Sequence, residues 1–238
     1  MSKILSRAGW LACGVLLLSG CDAVDTAIND ALPEVGVADG VLGLGGEAGT
    51  EVTSSFAAGK SGGIDAVATF TVSDTFNDLD SGDIQTISNL STTVGLNVLN
   101  GTLVGLTRTS GSTPLPNTIT ITAARVSWTL SDASASVADD KSTALSLTLT
   151  RLGTCAAEAT SCGYAAASIF EVFPLATFAP SNTAATSIFN IVKQSTPATP
   201  NSVNLSVVLT VTNTAAEFSG MAATVRIGES ETTLQPAF

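Results

Sequence analysis

The 238-residue chain contains no histidine, and only 12% of its residues are charged and 5% aromatic. Without histidine, Ser-His-Asp and Cys-His catalytic arrangements are excluded, and the commonest general base and metal ligand is missing. One tyrosine and two tryptophans also provide few aromatic platforms for stacking against sugars. These absences favour a protein that is not an enzyme and that needs no cofactor.

Basic residues are scarce, with 9 lysines and arginines against 20 aspartates and glutamates. The formal net charge of −11 repels the phosphates of nucleic acids and anionic lipid headgroups. The glycine-rich stretch 43–49 is not followed by the Gly-Lys-Ser/Thr of a phosphate-binding loop. We therefore expect no nucleic-acid partner and no nucleotide site.

The chain also lacks a hydrophobic run long enough to span a bilayer. The longest candidate, Ala8 to Leu18, has eleven uncharged residues, and a helix of that length reaches only about 16 Å. Lys3 and Arg7 precede it, and small residues follow it. A basic segment, a short apolar segment and small residues are typical of a secretory signal peptide, so residues 1–20 are predicted to direct export.

The apolar segment ends in Leu18-Ser19-Gly20-Cys21. This sequence resembles the lipobox of bacterial lipoproteins, which has a leucine-like residue, two small residues and a cysteine. The resemblance implies a diacylglyceryl group on the Cys21 sulfur, cleavage before Cys21, and acylation of the new amino terminus by a chain such as palmitate. It covers residues 1–21 only, and it predicts a protein of the bacterial cell envelope, anchored to the membrane and facing the periplasm or the cell exterior.

The segment after Cys21 is predicted to be a tether. It contains a short amphipathic stretch, Pro33 and then a glycine-rich region, so we expect residues 21–63 to form a lipidated, flexible spacer of about 35 Å. The apolar residues between Val35 and Leu44 argue against complete disorder, and one of them is a candidate edge strand. Loss of Lys3 and Arg7 with the signal peptide changes the net charge from −11 to −13.

Residues 64–238 are predicted to be an all-β domain. Apolar residues alternate with polar ones over 66–72, 145–150 and most clearly over 202–211, which is the period of a half-buried strand. Short strands, loops rich in small and polar residues, and the lack of a long helical pattern indicate an antiparallel β-sandwich of immunoglobulin-like or jelly-roll-like type. Trp128 lies on an alternating strand and is expected in the core.

Three local features refine this prediction. Asn100-Gly101 favours a two-residue hairpin turn, with Leu99 opposite Thr102 and Val98 opposite Leu103. The alternation changes phase at Ala123-Ala124, which predicts a bulge or a break. The segment 184–193 fits either a helical turn or a short strand.

Cys155 and Cys162 are the two thiols that remain after removal of the signal peptide and lipidation of Cys21. In an oxidising compartment such a close pair favours a disulfide. The alternative, a metal site, would need two further soft ligands, and the exported chain supplies no histidine and no other free thiol.

Acidic residues cluster between Asp74 and Asp83. Asp78, Asp80 and Asp83 could supply the oxygen ligands that calcium prefers. The order of Gly82 and Asp83 departs from the EF-hand pattern, however, and a solvated turn between strands explains the same residues. Calcium at these three aspartates is therefore a hypothesis beside the simpler one.

Three classes of function follow from these patterns. The favoured one is a non-catalytic, lipid-anchored envelope protein that contacts a protein partner through strand edges or through the loops 106–117 and 153–164. The alternatives are a carboxylate- or calcium-dependent hydrolase with its site at Asp74–Asp83, and a carrier of an apolar ligand held between the sheets.

Overall fold

The computed structural model describes residues 35–36, 49–58, 65–76, 86–169, 171–194, 201–212 and 217–237. These residues form strands and one helix, in the following order along the chain: β1 (Val35–Gly36), β2 (Thr50–Ala58), β3 (Ala66–Phe76), β4 (Thr86–Asn97), β5 (Val104–Arg108), β6 (Thr118–Ser131), β7 (Ser136–Arg151), β8 (Ser161–Ala165), β9 (Val172–Phe178), α1 (Asn182–Gln194), β10 (Asn201–Val211) and β11 (Met221–Ala237).

The predicted all-β sandwich is confirmed, and every strand pairing is antiparallel. The pairing path runs β2-β3-β10-β6-β7-β8-β5-β11, and β11 pairs again with β2. The path therefore closes on itself. The second half of β11 pairs with β4, and β4 pairs with β9. These strands form the layer that faces β6 and β7.

The core lies between these two layers. Trp128 of β6 is only 3% exposed, as predicted, and its ring meets Phe178 of β9 edge to face at 5.9 Å. Helix α1 covers the core on the side of this contact. Its buried residues are Ala185, Ile188, Phe189, Ile191 and Val192. Because this spacing repeats every three or four residues, the segment 184–193 forms a helix rather than a strand.

The predicted phase change in β6 is also present. Opposite β10 the register jumps from Ala123 to Ile121, so that Thr122 is the additional residue. The pairing with β7 shifts between the same two residues. The bulge lies one residue before the predicted Ala123-Ala124 step, and it keeps the apolar side chains on both sides of it in the core.

The Asn100-Gly101 turn is confirmed, but the predicted hairpin is wrong. Both residues have positive φ, 51° and 73°, and Leu99 and Thr102 exchange two backbone hydrogen bonds of 2.9 Å. Beyond this pair the chain separates. The Val98 amide donates to Glu171 O and the Leu103 amide to Tyr164 O, so the predicted Val98–Leu103 pair does not form.

Strands β4 and β5 instead follow one another along the same side of β11. Both run antiparallel to β11. Some residues of β11 that pair with β4 or β5 also pair with β2, so β2 lies on the opposite side of β11. Residues 98–103 are an excursion between the two strands, which we call the Leu99 turn. The Asn-Gly sequence determines the local turn. The hydrogen-bond partners of the residues on either side of it lie in distant parts of the chain.

The predicted tether is wrong for residues 50–58. These residues form β2, whose Thr50–Ser55 pairs with β11 and whose last three residues pair with β3. Only two large apolar side chains, Val52 and Phe56, alternate with hydroxyl residues in β2, and glycines flank the strand. The candidate edge strand is confirmed, because Val35 pairs with Leu234. The domain therefore begins before residue 64.

Candidate interaction surface

The two loops that were predicted to make contacts lie together at one end of the sandwich. Two hydrogen bonds of 3.3 Å join Arg108 Nη2 to the carbonyl oxygens of Ala157 and Ala159. The Leu115 amide donates to Ala157 O over 2.8 Å. The loops are thus one continuous surface, which we call the loop end and define as residues 109–117, 152–160 and 217–220.

A disulfide joins Cys155 to Cys162 across the second loop, with 6.0 Å between the Cα atoms. The predicted pairing is confirmed, and the alternative of a metal site at these thiols is wrong. Cys162 belongs to β8, where it pairs with Leu106 of β5. The disulfide therefore attaches the second loop to the central strands.

Two further side chains hold the first loop from below. Arg151 Nη1 donates to Leu115 O over 2.8 Å, and the Tyr164 hydroxyl donates to Pro116 O over 2.6 Å. Tyr164 is fully buried, and its burial raises the pKa of its hydroxyl to about 12. These hydrogen bonds satisfy backbone carbonyls that a less ordered loop would expose to water.

The third segment joins the loop end through Gly220. Its carbonyl oxygen accepts hydrogen bonds from the Thr109 amide (2.7 Å) and the Ser110 amide (3.1 Å). The φ of Gly220 is +72°, and a Cβ there would collide with the Ser110 carbonyl. Glycine is therefore required at this close approach between two backbone segments.

The exposed chemistry of the loop end is neutral and polar. Its exposed residues are Thr109, Ser110, Gly111, Ser112, Pro114, Asn117, Gly153, Thr154, Ala156, Glu158, Thr160, Glu217 and Ser219. Glu158 and Glu217 are the only charged residues in the three segments. Such a surface can donate and accept hydrogen bonds. Nowhere in the described part of the chain do three or more His, Cys, Asp or Glu residues gather as potential metal ligands.

Strand β1 lies far from the loop end and runs towards it. Strand β11 starts next to Gly220 at the loop end and runs away from it. Because β1 is antiparallel to β11, it is directed towards the loop end, and Val35 is its residue farther from that end. Leu234, the partner of Val35, lies about 40 Å along β11 from Met221.

The strand that precedes most of the acidic cluster, β3, ends on the side away from the loops. Strand β3 ends at Phe76, which pairs with Asn201 at the start of β10. Asp78, Asp80 and Asp83 follow, and they lie outside the described residues, so calcium binding stays a prediction. Cys21 also lies outside them. None of the helices that the structure describes is long and apolar enough to cross a membrane.

One surface feature was missed in the sequence. The Leu99 turn borders an open depression of about 270 Å³ that is lined by residues of β2, β4, β5, β8 and β11. Leu99 is 40% exposed. The available signal was the pair of strand glycines, Gly105 and Gly163, which lie opposite one another, since glycine within a strand often marks a close approach.

Tyr164 makes the support of the loop end dependent on pH. We expect the free energy of unfolding to fall as pH rises from about 10 to about 12, because the unfolded chain releases the phenol proton before the folded chain does. Urea titrations across this range measure the effect. A Tyr164→Phe variant should lose this pH dependence, and an unchanged slope in that variant would contradict the assignment.

No protein-family model matches the chain, and no curated protein matches it either. A solved structure, "Structure of TmCBM61 in complex with beta-1,4-galactotriose", aligns with 84% of this chain and 82% of its own length, at 9% sequence identity. The TM-score of this alignment is 0.19, a value at which the likeness carries no argument about fold or function.

Proposed function

We propose that this chain is a non-catalytic lipoprotein of the bacterial cell envelope that presents its loop end to a protein partner. The anchor in this proposal is the lipid on Cys21, for which the support is the sequence Leu18-Ser19-Gly20-Cys21. The sandwich is the rigid body, and the loop end is its contact surface.

The observation that carries the proposal is the direction of β1. A chain that runs through β1 towards the loop end directs the loop end away from a membrane that holds Cys21. Val35 lies fourteen positions after Cys21, which corresponds to about 20 Å as a flexible coil and about 50 Å when fully extended. The partner would therefore be met in the periplasm or outside the cell, beyond the far end of the sandwich.

The construction of the loop end also supports a binding role. A disulfide, hydrogen bonds from Arg108, Arg151 and Tyr164, and the close approach at Gly220 hold its backbone in place. Loops that are ordered before they bind lose less conformational entropy on association. The scarcity of charged groups that could exchange protons on this surface favours binding over catalysis.

The test is purification of the lipidated protein from native membranes in a mild detergent, with quantitative mass spectrometry of the proteins retained. We expect a stoichiometric partner with the wild type. Ser112→Arg and Thr154→Arg, each at an exposed position of the loop end, should reduce its recovery by about tenfold or more, since a misplaced charge in an interface costs over about 1.4 kcal/mol.

The matched control is Ala133→Arg, which places the same charge on an exposed loop at the opposite end of the sandwich, between β6 and β7. Recovery of the partner should be unchanged in this variant. The proposal fails if the wild type retains no stoichiometric partner, or if the two loop-end variants retain it as fully as the control.

A further inference from the structure

The Leu99 turn combines a reactive sequence with an open position. Asn100 and Gly101 are both exposed, and nothing lies within 4 Å of the place that a Cβ on Gly101 would occupy. The two hydrogen bonds that close the turn are made by Leu99 and Thr102. Among the described residues, none forms a hydrogen bond with the Gly101 amide or with the Asn100 side chain. Both groups are therefore open to water and to one another.

An asparagine side chain can react with the backbone nitrogen of the residue that follows it, which is one reason that asparagine is a thermolabile residue. The backbone nitrogen bonds to the side-chain carbonyl carbon, Cγ. The bond between Cγ and the side-chain nitrogen breaks, and that nitrogen leaves as ammonia with the proton of the backbone amide. One water molecule then opens the succinimide ring. Attack at one ring carbonyl gives aspartate, and attack at the other gives isoaspartate, whose main chain runs through the side-chain carbon.

The turn has the freedom that ring closure requires. The Gly101 nitrogen must rotate towards Cγ of Asn100, which turns over the peptide group between the two residues. Their φ values are 51° and 73°, as in a type I′ turn, and turning over this peptide group gives a type II′ turn, in which only the first φ stays positive. Glycine adopts either sign of φ without a steric penalty. Because both turn types connect paired strands, the Leu99–Thr102 hydrogen bonds can persist.

No other asparagine in the chain precedes a glycine. Asn201 precedes a serine, but it is fully buried. Asn117 and Asn204 are exposed, but they precede Thr118 and Leu205, whose side chains crowd the backbone nitrogen and whose backbones belong to β6 and β10. Exposure, a following glycine and a position outside the strands coincide at Asn100.

We propose that Asn100 is a site of spontaneous deamidation, through which the Leu99 turn changes with age from a neutral to an acidic form. Water is the only co-reactant, so the reaction needs neither an enzyme nor a cofactor. The proposal goes beyond the proposed function, and it depends neither on lipidation nor on a protein partner.

The product changes the border of the depression. Asn100 lines it together with Glu51 and Arg226, whose side chains form an ion pair of 2.8 Å. A carboxylate at position 100 adds a second anion beside the one cation that lines the depression. Aspartate keeps the turn, because Asp-Gly also favours type I′. Isoaspartate lengthens the main chain between Leu99 and Thr102 and weakens their reciprocal hydrogen bonds.

The test is timed incubation of the full-length protein in detergent at neutral pH, followed by peptide mapping with mass spectrometry that separates aspartate from isoaspartate. We expect the Asn100 peptide to lose its amide progressively, and the intact protein to gain one negative charge in ion-exchange chromatography. The Asn117 and Asn204 peptides of the same samples are the matched controls. They should react more slowly by about tenfold or more, which corresponds to a barrier higher by at least about 1.4 kcal/mol.

A second variant, Asn100→Gly, removes the reactive amide and keeps the turn, because Gly-Gly also favours type I′. It should develop no acidic form, and its melting temperature shows whether it is folded. If it does not fold, the peptide map of the wild type decides alone. The proposal is overturned if Asn100 keeps its amide as long as Asn117 and Asn204 do. It is also overturned if a folded Asn100→Gly protein acquires the acidic form as fast as the wild type.

Discussion

Replacing Cys21 with serine is expected to transfer nearly all of the protein from the membrane fraction to the soluble fraction. In the proposed anchor a thioether to the Cys21 sulfur would carry the diacylglyceryl group, and each buried methylene of an acyl chain contributes about 0.8 kcal/mol to membrane binding. One acyl chain binds reversibly, whereas two or three hold a protein firmly. Fractionation with immunoblotting measures the distribution, and mass spectrometry of the N-terminal peptide identifies the lipid.

Cys13→Ser is the matched control, because this cysteine lies inside the apolar segment and not at the predicted cleavage site. It makes the same chemical change eight positions earlier and should leave the protein in the membrane fraction. If the Cys21→Ser protein also stays with the membranes after an alkaline wash, the anchor is not a lipid on Cys21.

Removing the disulfide with the double variant Cys155→Ser/Cys162→Ser is expected to lower the free energy of unfolding by about 2–3 kcal/mol. The bond closes a short loop, with a sequence separation of 7, and in the chain-entropy model a loop of this size contributes about 2.5 kcal/mol. The loss should appear in urea unfolding as a lower midpoint with little change in slope.

Reduction of the wild type provides the control for this variant. A thiol reductant should lower the stability of the wild type towards that of the double variant, and it should not affect the double variant itself. Equal stability of the oxidised wild type and the double variant would show that the second loop is held by its hydrogen bonds alone.

The strands that were predicted correctly can be recognised from the pattern of apolar residues within each strand alone. In β10 the inward side chains from Val203 to Val211 are buried and the residues between them are not, as the alternation in the sequence indicates. The position of Trp128 and the bulge near Ala123 follow from the same period of two. Each of these features depends only on which face of one strand is apolar.

The features that were missed depend on distant partners. Strand β2 has too few apolar residues to be recognised alone, and it forms because it lies between β11 and β3. The two flanks of the Asn100-Gly101 turn separate because their backbone amides donate hydrogen bonds to the carbonyl oxygens of Glu171 and Tyr164. The spacing of apolar residues in β2 and around Asn100-Gly101 does not indicate these contacts.

The candidate surface was predicted only in part, because some of its contacts also join distant parts of the chain. The Cys155–Cys162 pair was found by excluding the other thiols, which needs only the sequence. That the two loops join was not visible, because Arg108 and Arg151 reach across strands to carbonyls 36 to 51 residues away. The depression beside Leu99 likewise needs five strands from separate parts of the chain.

The pairing of β2 with β11 also sets the order in which the molecule can fold. Glu51 and Arg226, which form an ion pair across this seam, are 175 residues apart in the chain. If the chain is exported with its N-terminus first, β2 emerges early. Its residues Phe56–Ala58 can pair with β3 at once, but Thr50–Ser55 must wait for β11, the last strand. The sheet then closes only after nearly the whole chain has been translocated, and closure over such a separation is slow. Until that moment the sheet remains open at the seam between β2 and β11.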